Sequence, residues 1–392
     1  FTPAPTAIEG IEGHAVVASR RGAGYQKEIP LSGRHGELLV RGRADGFDAD
    51  KGRLEEVKTH RGAGALARQP ANHRALHWAQ AMVYGWLLCE RDGLERLELA
   101  LVYYDIGSRQ ETVFTQTLDA EALRQHFVQR CEAYIAWARL EHAHRRARDA
   151  ALAVLRFPHS DFRTGQRPLA EAVFKVARAG RPLMAQAPTG IGKTIGTVFP
   201  LLRALPGQQI DRVFFLTAKT SGRALALDAV ATLRRAEPDL PLRALELVAR
   251  EKACEHPDKA CHGESCPLAE GFYDRLPAAR EAALTVPVWH REGVRAVAAA
   301  HGVCPYYLGQ ELARWADLVI GDYNHFFDLS AMLHALTQIN GWRVALLLDE
   351  AHNLVDRARL MHTGELDQLS VRGLRHTVPK ALQKPLDKLN RV

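Results

Sequence analysis

Two periodicities divide the chain. Glu37-Leu38-Leu39-Val40-Arg41-Gly42-Arg43 and Leu97-Glu98-Leu99-Ala100-Leu101-Val102-Tyr103-Tyr104 have the character of strands, as does Leu54-Glu55-Glu56-Val57-Lys58. Between them, Leu76, Met82, Val83, Trp86 and Leu87 recur at helical spacing and predict a helix over His73–Leu88. A longer amphipathic helix is predicted from Asp119 through Leu123, Phe127, Cys131, Tyr134, Ile135 and Trp137. It ends near Phe157-Pro158, where proline disfavours helix in the residue before it. The first 118 residues therefore read as an α+β unit, with a domain boundary at about residue 155.

Beyond residue 166 the rhythm changes. Short apolar runs alternate with helical stretches: Leu183-Met184-Ala185-Gln186-Ala187, Val213-Phe214-Phe215-Leu216-Thr217, Leu318-Val319-Ile320 and Val344-Ala345-Leu346-Leu347-Leu348. Such runs predict a parallel sheet covered on both faces, so the fold class is α/β. Residues 247–311, which carry four cysteines, interrupt this rhythm and read as a helical insertion. The expected layout is one domain over 1–155, a second over 156–246 and 312–357, the insertion at 247–311, and helices over 358–392.

Composition adds bounds. In 392 residues, 47% are hydrophobic and 25% charged, as in ordinary globular protein. No run approaches the ~20 uninterrupted apolar residues of a membrane span, so no membrane role is expected. Phe1-Thr2-Pro3-Ala4-Pro5 has neither the basic nor the apolar region of a signal peptide and no initiator Met. The expectation is a cytoplasmic protein, and a chain that is a piece of something longer. The net charge is +7, a basic excess compatible with nucleic acid. Residues 1–150 carry 21 Lys/Arg against 20 Asp/Glu, and 151–392 carry 31 against 25, so the excess lies in the second part. Cys89 and Cys131 sit alone in apolar helical contexts and read as packing residues. The clustered Cys254, Cys261, Cys266 and Cys304 point instead to metal and a reducing compartment.

Ala187-Pro188-Thr189-Gly190-Ile191-Gly192-Lys193-Thr194 follows a predicted strand and opens a helix, a phosphate-binding loop with Ala in place of its first Gly. Gly190 and Gly192 allow close backbone approach, Lys193 supplies charge for the β- and γ-phosphates, and Thr194 would hold Mg²⁺. Asp349-Glu350-Ala351-His352 ends an apolar strand, where Asp349 is placed to hold Mg²⁺ and Glu350 to orient the attacking water. With these motifs the chain resembles the DEAH-box group of superfamily 2 helicases, and more closely the XPD/DinG branch. Arg163-Thr164-Gly165-Gln166 matches the glutamine motif near the adenine. Leu216-Thr217-Ala218-Lys219-Thr220 matches a strand-end motif that touches the DNA backbone, and Ala316–His325 a segment just after the iron–sulfur domain. The resemblance covers about 156–392. It implies a RecA-like lobe, ATP with Mg²⁺, and single-stranded or forked DNA as partner, with 5′→3′ movement.

Cys254-x₆-Cys261-x₄-Cys266, then Cys304-Pro305, offers four thiolates for zinc or an iron–sulfur cluster. Zinc ribbons pair their ligands more closely, and a last ligand followed by proline suits a cubane. The family places a [4Fe–4S] domain at this point, and Arg250-Glu251-Lys252 resembles its entry. His256 and His262 are possible substitute ligands but read as solvated. Of the aromatics nearby, Tyr306, Tyr307, Tyr323, Phe326 and Phe327, one or two could stack on bases.

The first domain carries its own constellation. Asp45 ends one predicted strand; Glu56 and Lys58 lie on the next. Two carboxylates with the Val57 carbonyl can ligate Mg²⁺ or Mn²⁺, and Lys58 can position the attacking water, as in metal-assisted phosphodiester hydrolysis. Gln80 and Tyr84 share a helix face at i and i+4, and His14 offers an upstream imidazole. G-x-x-x-H, G-x-x-D, E-x-K and Q-x-x-x-Y in this order resemble the RecB-type branch of the PD-(D/E)XK nucleases over about 8–118. That resemblance implies His14, Asp45 and Glu56 as metal ligands, Lys58 as catalytic, and Gln80 and Tyr84 as orienting groups. His60, His73 and His77 flank the site; without an evident third ligand, His73 and His77 read as solvated or DNA-facing.

The expectation is a helicase–nuclease of XPD/DinG type. Two rivals remain at this stage: a non-catalytic DNA-binding or sensing protein with a degenerate nuclease fold, and a P-loop NTPase that acts on something other than nucleic acid. Only about 40 residues follow His352, against on the order of 150 for a RecA-like lobe. The chain is thus expected to hold the nuclease, the first lobe, the iron–sulfur domain and the start of a helical arch, and to hydrolyse nucleotide slowly.

Overall fold

The computed structural model describes residues 6–389 apart from Pro70, Pro287, Ser330 and His376. The reading of Phe1–Pro5 lies outside these. The chain forms two compact units, residues 1–143 and 144–392.

The first unit opens with α1 (Ala7–Ser19), started by a reciprocal cap in which Thr6 Oγ1 accepts from Glu9 N–H and Glu9 accepts from Thr6 N–H. Three antiparallel strands follow: β1 (Tyr25–His35), β2 (Leu38–Asp48) and β3 (Arg53–His60). A short α2 (Ala63–Ala67) and the long α3 (Ala71–Asp92) cross to β4 (Arg96–Asp105), which pairs parallel with β3. β5 (Glu111–Asp119) closes the sheet antiparallel to β4, giving the order β1-β2-β3-β4-β5. Period two explains the packing. Leu97, Leu99, Leu101 and Tyr103 face a core with Leu87 and Leu88 of α3 and with Leu123 and Phe127 of α4 (Ala120–Val154). Ala100, Val102 and Tyr104 point the other way, with Val57 and Val17. Cys89 and Cys131 are buried in the first core, as packing residues.

The β1–β2 ladder has one interruption. Lys27 pairs with Gly46 and Ile29 with Ala44, but Glu28 and Asp45 are not paired, and Glu28 adopts φ +53°.

The second unit takes up the last turns of α4. Its Asp317 is fully buried and accepts from Arg148 Nη1 at 2.9 Å, with His144 Nε2 at 2.8 Å and the Arg243 N–H at 2.8 Å. This buried cluster explains why the compact unit begins at His144 rather than near residue 156. Then come α5 (Gln166–Ala179), α6 (Lys193–Gln208), β6 (Arg212–Thr217), α7 (Thr220–Ala236), β7 (Ala244–Glu246), α8 (Arg250–Ala253), α9 (Phe272–Leu284) and β8 (Val288–Trp289). After α10 (Arg291–Ala300) and α11 (Pro305–Leu312), β9 (Leu318–Gly321), α12 (Asn324–Phe327), α13 (Met332–Asn340) and β10 (Val344–Asp349) complete the sheet. Its order is β10-β6-β9-β7-β8, all parallel. Phe214 and Leu216 of β6 face one core and Val213 and Phe215 the other, as a doubly covered sheet requires. A 3₁₀ turn (Ala351–Asn353) leads to α14 (Leu354–Met361), α15 (Gln368–Leu374) and α16 (Lys380–Leu389), so the tail is helical.

Two expectations need correction. Leu183–Ala187 is not a strand. It joins no sheet, and Met184 is 97% exposed. An apolar run forms a strand only beside a ladder partner and under cover, and here it has neither. β10, at the sheet's end, is only half-buried along its length. The cysteine-bearing segment is not purely a helical excursion either. Its β8 pairs with β7 at the opposite end of the sheet, and Trp289 is anchored in the core, its indole N–H donating to the Ala283 carbonyl at 2.7 Å.

Candidate functional sites

In the first unit the pleat of β2 and β3 and the face of α3 bring most of the expected residues together. The Val57 N–H donates to Asp45 Oδ2 at 2.7 Å, fixing that carboxylate at the interrupted ladder. His14, from α1, places Nδ1 3.4 Å from Asp45 Oδ1, and this contact raises the imidazole's pKa. Lys58 Nζ donates to Glu56 Oε1 at 2.5 Å and to Gln80 Oε1 at 3.3 Å. Glu56 is only 2% exposed. Burial, then the neighbouring Asp45 charge, raises its pKa to about 7 despite Lys58.

Tyr84 lies against β2: a Cβ on Gly42 would stand 2.5 Å from its ring, so Gly42 makes room for it. One group went unseen in the sequence. Glu28 brings its carboxylate to His14 and Asp45, with ligand atoms of all three within 4.8 Å of one another. No motif spacing marks it, because its position depends on the interrupted ladder.

A cavity of about 460 Å³ adjoins Lys58 and is lined in part by His60, Arg68, His73, His77 and Tyr103. His77 Nδ1 is 2.8 Å from the Tyr103 hydroxyl. Burial, then Lys58 and His73, lowers its pKa to about 4, so it stands neutral at pH 7.

In the second unit, Gly190 and Gly192 adopt φ +85° and +81°, and Gly192 caps α6. Arg163 Nη1 donates to the Gly190 carbonyl at 2.8 Å. Gln166, expected near a base, uses both ends of its amide within the chain: Nε2 donates to the Gly192 carbonyl at 3.1 Å, and Oε1 accepts from the Arg163 N–H at 3.1 Å. It is a buried brace under the loop.

Lys193 begins α6, and its Nζ meets Glu350 Oε1 at 3.2 Å. Asp349 ends β10 in register with Thr217, and its carbonyl accepts from the Tyr323 hydroxyl. Burial, then Glu350, raises the Asp349 pKa. Ala187 and Thr194 are half-buried and Thr189 exposed, with the Thr194 carbonyl accepting from Thr197 Oγ1 at 3.1 Å.

Cys304 stands at the N-terminus of α11, ahead of Pro305. Burial raises its pKa, and Cys254 and Cys266 lie close enough to add to the effect. Cys261 is exposed, 4.0 Å from Arg250 Nη1. Among the described residues, no three of the four sulfurs lie within 4.8 Å of one another. His262 is exposed. Of the nearby aromatics, Tyr323 is fully buried and Phe326 and Phe327 pack on the core, whereas Tyr307 is 39% exposed. Tyr273, not foreseen, is 76% exposed.

Residues 242–371 match the DEAD_2 family model. The chain is 28% identical over 130 residues to a regulator of telomere elongation helicase 1 homolog of Anopheles gambiae, covering 29% of this chain and 12% of that protein. It is 30% identical over 112 residues to a Fanconi anemia group J protein homolog of Gallus gallus, covering 28% and 9%. The chain thus spans about a tenth of the length of these curated relatives. Among solved structures, an XPD helicase aligns with TM-score 0.41 and 17% identity, over 59% of this chain and 40% of that one. A truncated XPD aligns with TM-score 0.39 and 19% identity, over 57% and 63%. Among the described residues no helix is long and apolar enough to cross a membrane.

Proposed function

We propose that the chain is part of an ATP-dependent DNA helicase of XPD type, joined to a metal-dependent deoxyribonuclease in its first unit. One observation carries the first half. Lys193 and Glu350, far apart in sequence, meet at 3.2 Å where a glycine loop, a helix N-terminus and the end of β10 converge. A phosphate chain would displace this ion pair: Lys193 would turn to it, leaving Asp349 to hold Mg²⁺ and Glu350 to orient water. The DEAD_2 match supports the reading, since it includes Asp349, Glu350 and all four cysteines. Single-stranded or forked DNA is the proposed substrate, with movement 5′→3′ by resemblance.

The four cysteines fit an iron–sulfur cluster better than zinc. Four thiolates at about 2.3 Å from one zinc ion would stand about 3.8 Å apart, whereas no three of these sulfurs lie within 4.8 Å of one another. A cubane spreads its ligands more widely and would fix α8, α11 and the turns between them. When bound, it would supply structural closure and a redox-sensitive centre.

In the first unit, His14, Asp45 and Glu56 are the residues that would hold Mg²⁺ or Mn²⁺, and Lys58 would orient the attacking water. Gln80, which accepts from Lys58, would position that ammonium, and Tyr84 would support β2 beneath it. The cation-lined cavity would receive the phosphate backbone.

The test separates the two halves. Cleavage of single-stranded and forked DNA with Mn²⁺ and no ATP should vanish in Lys58→Ala while a fluorescent ATP analogue still binds. Lys193→Ala should do the reverse. Undiminished cutting by Lys58→Ala would refute the nuclease reading, and undiminished nucleotide binding by Lys193→Ala the helicase reading.

A further inference from the structure

Among the described residues that wall the cavity beside Lys58 there is no Asp or Glu. Lys58 and Arg68 bring fixed positive charge, and His14, His60, His73 and His77 bring imidazoles. A space so lined selects an anion. Its volume of about 460 Å³ suits one nucleotide unit of a single strand rather than a duplex. We propose that it is a nucleotide subsite flanking the cleavage position, where the Nε2–H of His77, oriented by Tyr103, donates to a phosphate oxygen of the bound strand. The inference deepens the nuclease reading of the first unit and rests on it.

The tautomer follows from burial. Tyr103 is only 2% exposed, and its hydroxyl, 2.8 Å from His77 Nδ1, has no other hydrogen-bond partner among the described residues. A proton on Nδ1 would leave the buried hydroxyl proton without an acceptor, which is costly. The hydroxyl therefore donates to Nδ1, and the neutral ring carries its proton on Nε2, the nitrogen left to meet a ligand. Tyr103 is itself held edge-on against Phe114, with ring centroids 6.0 Å apart. Around His77 stand Lys58 on β3, His73 on α3 and Tyr103 on β4; burial, then the two basic groups, keeps the ring uncharged. A neutral donor binds phosphate without releasing a counterion, so its share of the affinity is insensitive to salt. Arg68, exposed and without an ion pair among the described residues, supplies the salt-sensitive share.

The test is photocrosslinking of the full-length chain, without divalent metal, to a thymidine oligonucleotide carrying 4-thiothymidine. Mass spectrometry of residues 61–77 reads this cavity separately from DNA held elsewhere. The wild type should crosslink there. His77→Phe should weaken the crosslinked complex about three- to tenfold, the scale of one lost hydrogen bond, and His77→Gln should recover part of the loss. Tyr103→Phe should weaken it in the wild type and not in His77→Phe, the mark of a positioning residue. Arg68→Gln should lower the log–log salt slope by about 0.7, the share of one single-strand phosphate contact, whereas His77→Phe should leave the slope unchanged. Should His77→Phe fail to fold, His77→Gln and the exposed Arg68→Gln still read the cavity. No crosslink within residues 61–77, or wild-type affinity in His77→Phe, would overturn the proposal. Displacement by thymidine 5′-monophosphate at concentrations equal to the oligonucleotide would also overturn it, by assigning the cavity to a free nucleotide. Cleavage with Mn²⁺ separates the two claims. A His77-dependent crosslink without cleavage would sink the nuclease reading and leave a strand-binding cavity; cleavage with a crosslink indifferent to His77 would sink this inference alone.

Discussion

Replacing Glu56 with glutamine tests the electrostatics of the first unit without any substrate. The carboxyl is 2% exposed, and burial with the Asp45 charge raises its pKa from 4.5 to about 7. The sign follows from proton counting. Below pH 4.5 both folded and unfolded chains hold the proton and the group costs nothing. Between 4.5 and 7 the unfolded chain releases it first, so stability falls as pH rises; above 7 the full cost is present. A shift of about 2.5 units corresponds to about 3 kcal/mol at pH 8 and about 1 kcal/mol at pH 5, as upper bounds. Glu56→Gln has no such proton and can still accept from Lys58. Without divalent cation it should therefore stabilise the first unit by about 1–3 kcal/mol at pH 8, and by far less at pH 5. Hydrogen exchange of β3 peptides, read by mass spectrometry, reports the opening of this unit separately from the other. A variant less stable than wild type at pH 8, or an equal difference at both pH values, would refute the reasoning.

Three further outcomes are expected. Asp317→Asn leaves Arg148 and His144 without their buried partner and should cost about 3–5 kcal/mol in chemical denaturation. Asp317 has its pKa lowered to about 2, its hydrogen bonds outweighing burial, so the wild type alone should lose this stability as pH falls from about 4 through 2. Gln166→Ala removes the brace beneath Gly192 and should weaken binding of a fluorescent nucleotide by about tenfold, as two lost hydrogen bonds imply; unchanged affinity would show that the loop holds itself. Cys304→Ser should abolish the broad visible absorbance of anaerobically purified protein and increase protease cutting between α8 and α9. A colourless wild type with stoichiometric zinc would overturn the cluster assignment.

Legibility in the sequence followed the local signals. β2, β3, β4, β6, β9 and β10 were visible because each carries enough alternating or apolar residues to satisfy a pleated surface. β1 and β5 were missed: Tyr25-Gln26-Lys27-Glu28 and Glu111-Thr112-Val113 are largely polar on sheet edges that face water. β7 and β8 are too short to show a period. Leu183–Ala187 failed the other way, apolar enough for a strand but without a ladder partner. At the proposed sites, motif spacing pointed to Asp45, Glu56, Lys58, Lys193 and Asp349, and the structure brings the Val57 N–H to Asp45 and Lys58 to Glu56. Glu28 escaped because its place depends on backbone geometry that no spacing encodes. The brace role of Gln166 was invisible for a similar reason: sequence locates the residue, but not which of its atoms are already engaged.

The contact between Gln166 and Gly192 also couples the two positions under mutation. A Cβ at position 192 would lie 2.3 Å from Gln166 Nε2, on a backbone at φ +81°. With glutamine present, a side chain there must push the Gln166 amide aside, breaking its bond to the residue-192 carbonyl, and also takes a disfavoured conformation. With a smaller residue at 166 there is no amide to displace, and the conformational cost of about 1–2 kcal/mol remains. The two positions are therefore epistatic, their double variant less damaged than the sum of the singles. In a pairwise mutational library the two columns should show this coupling.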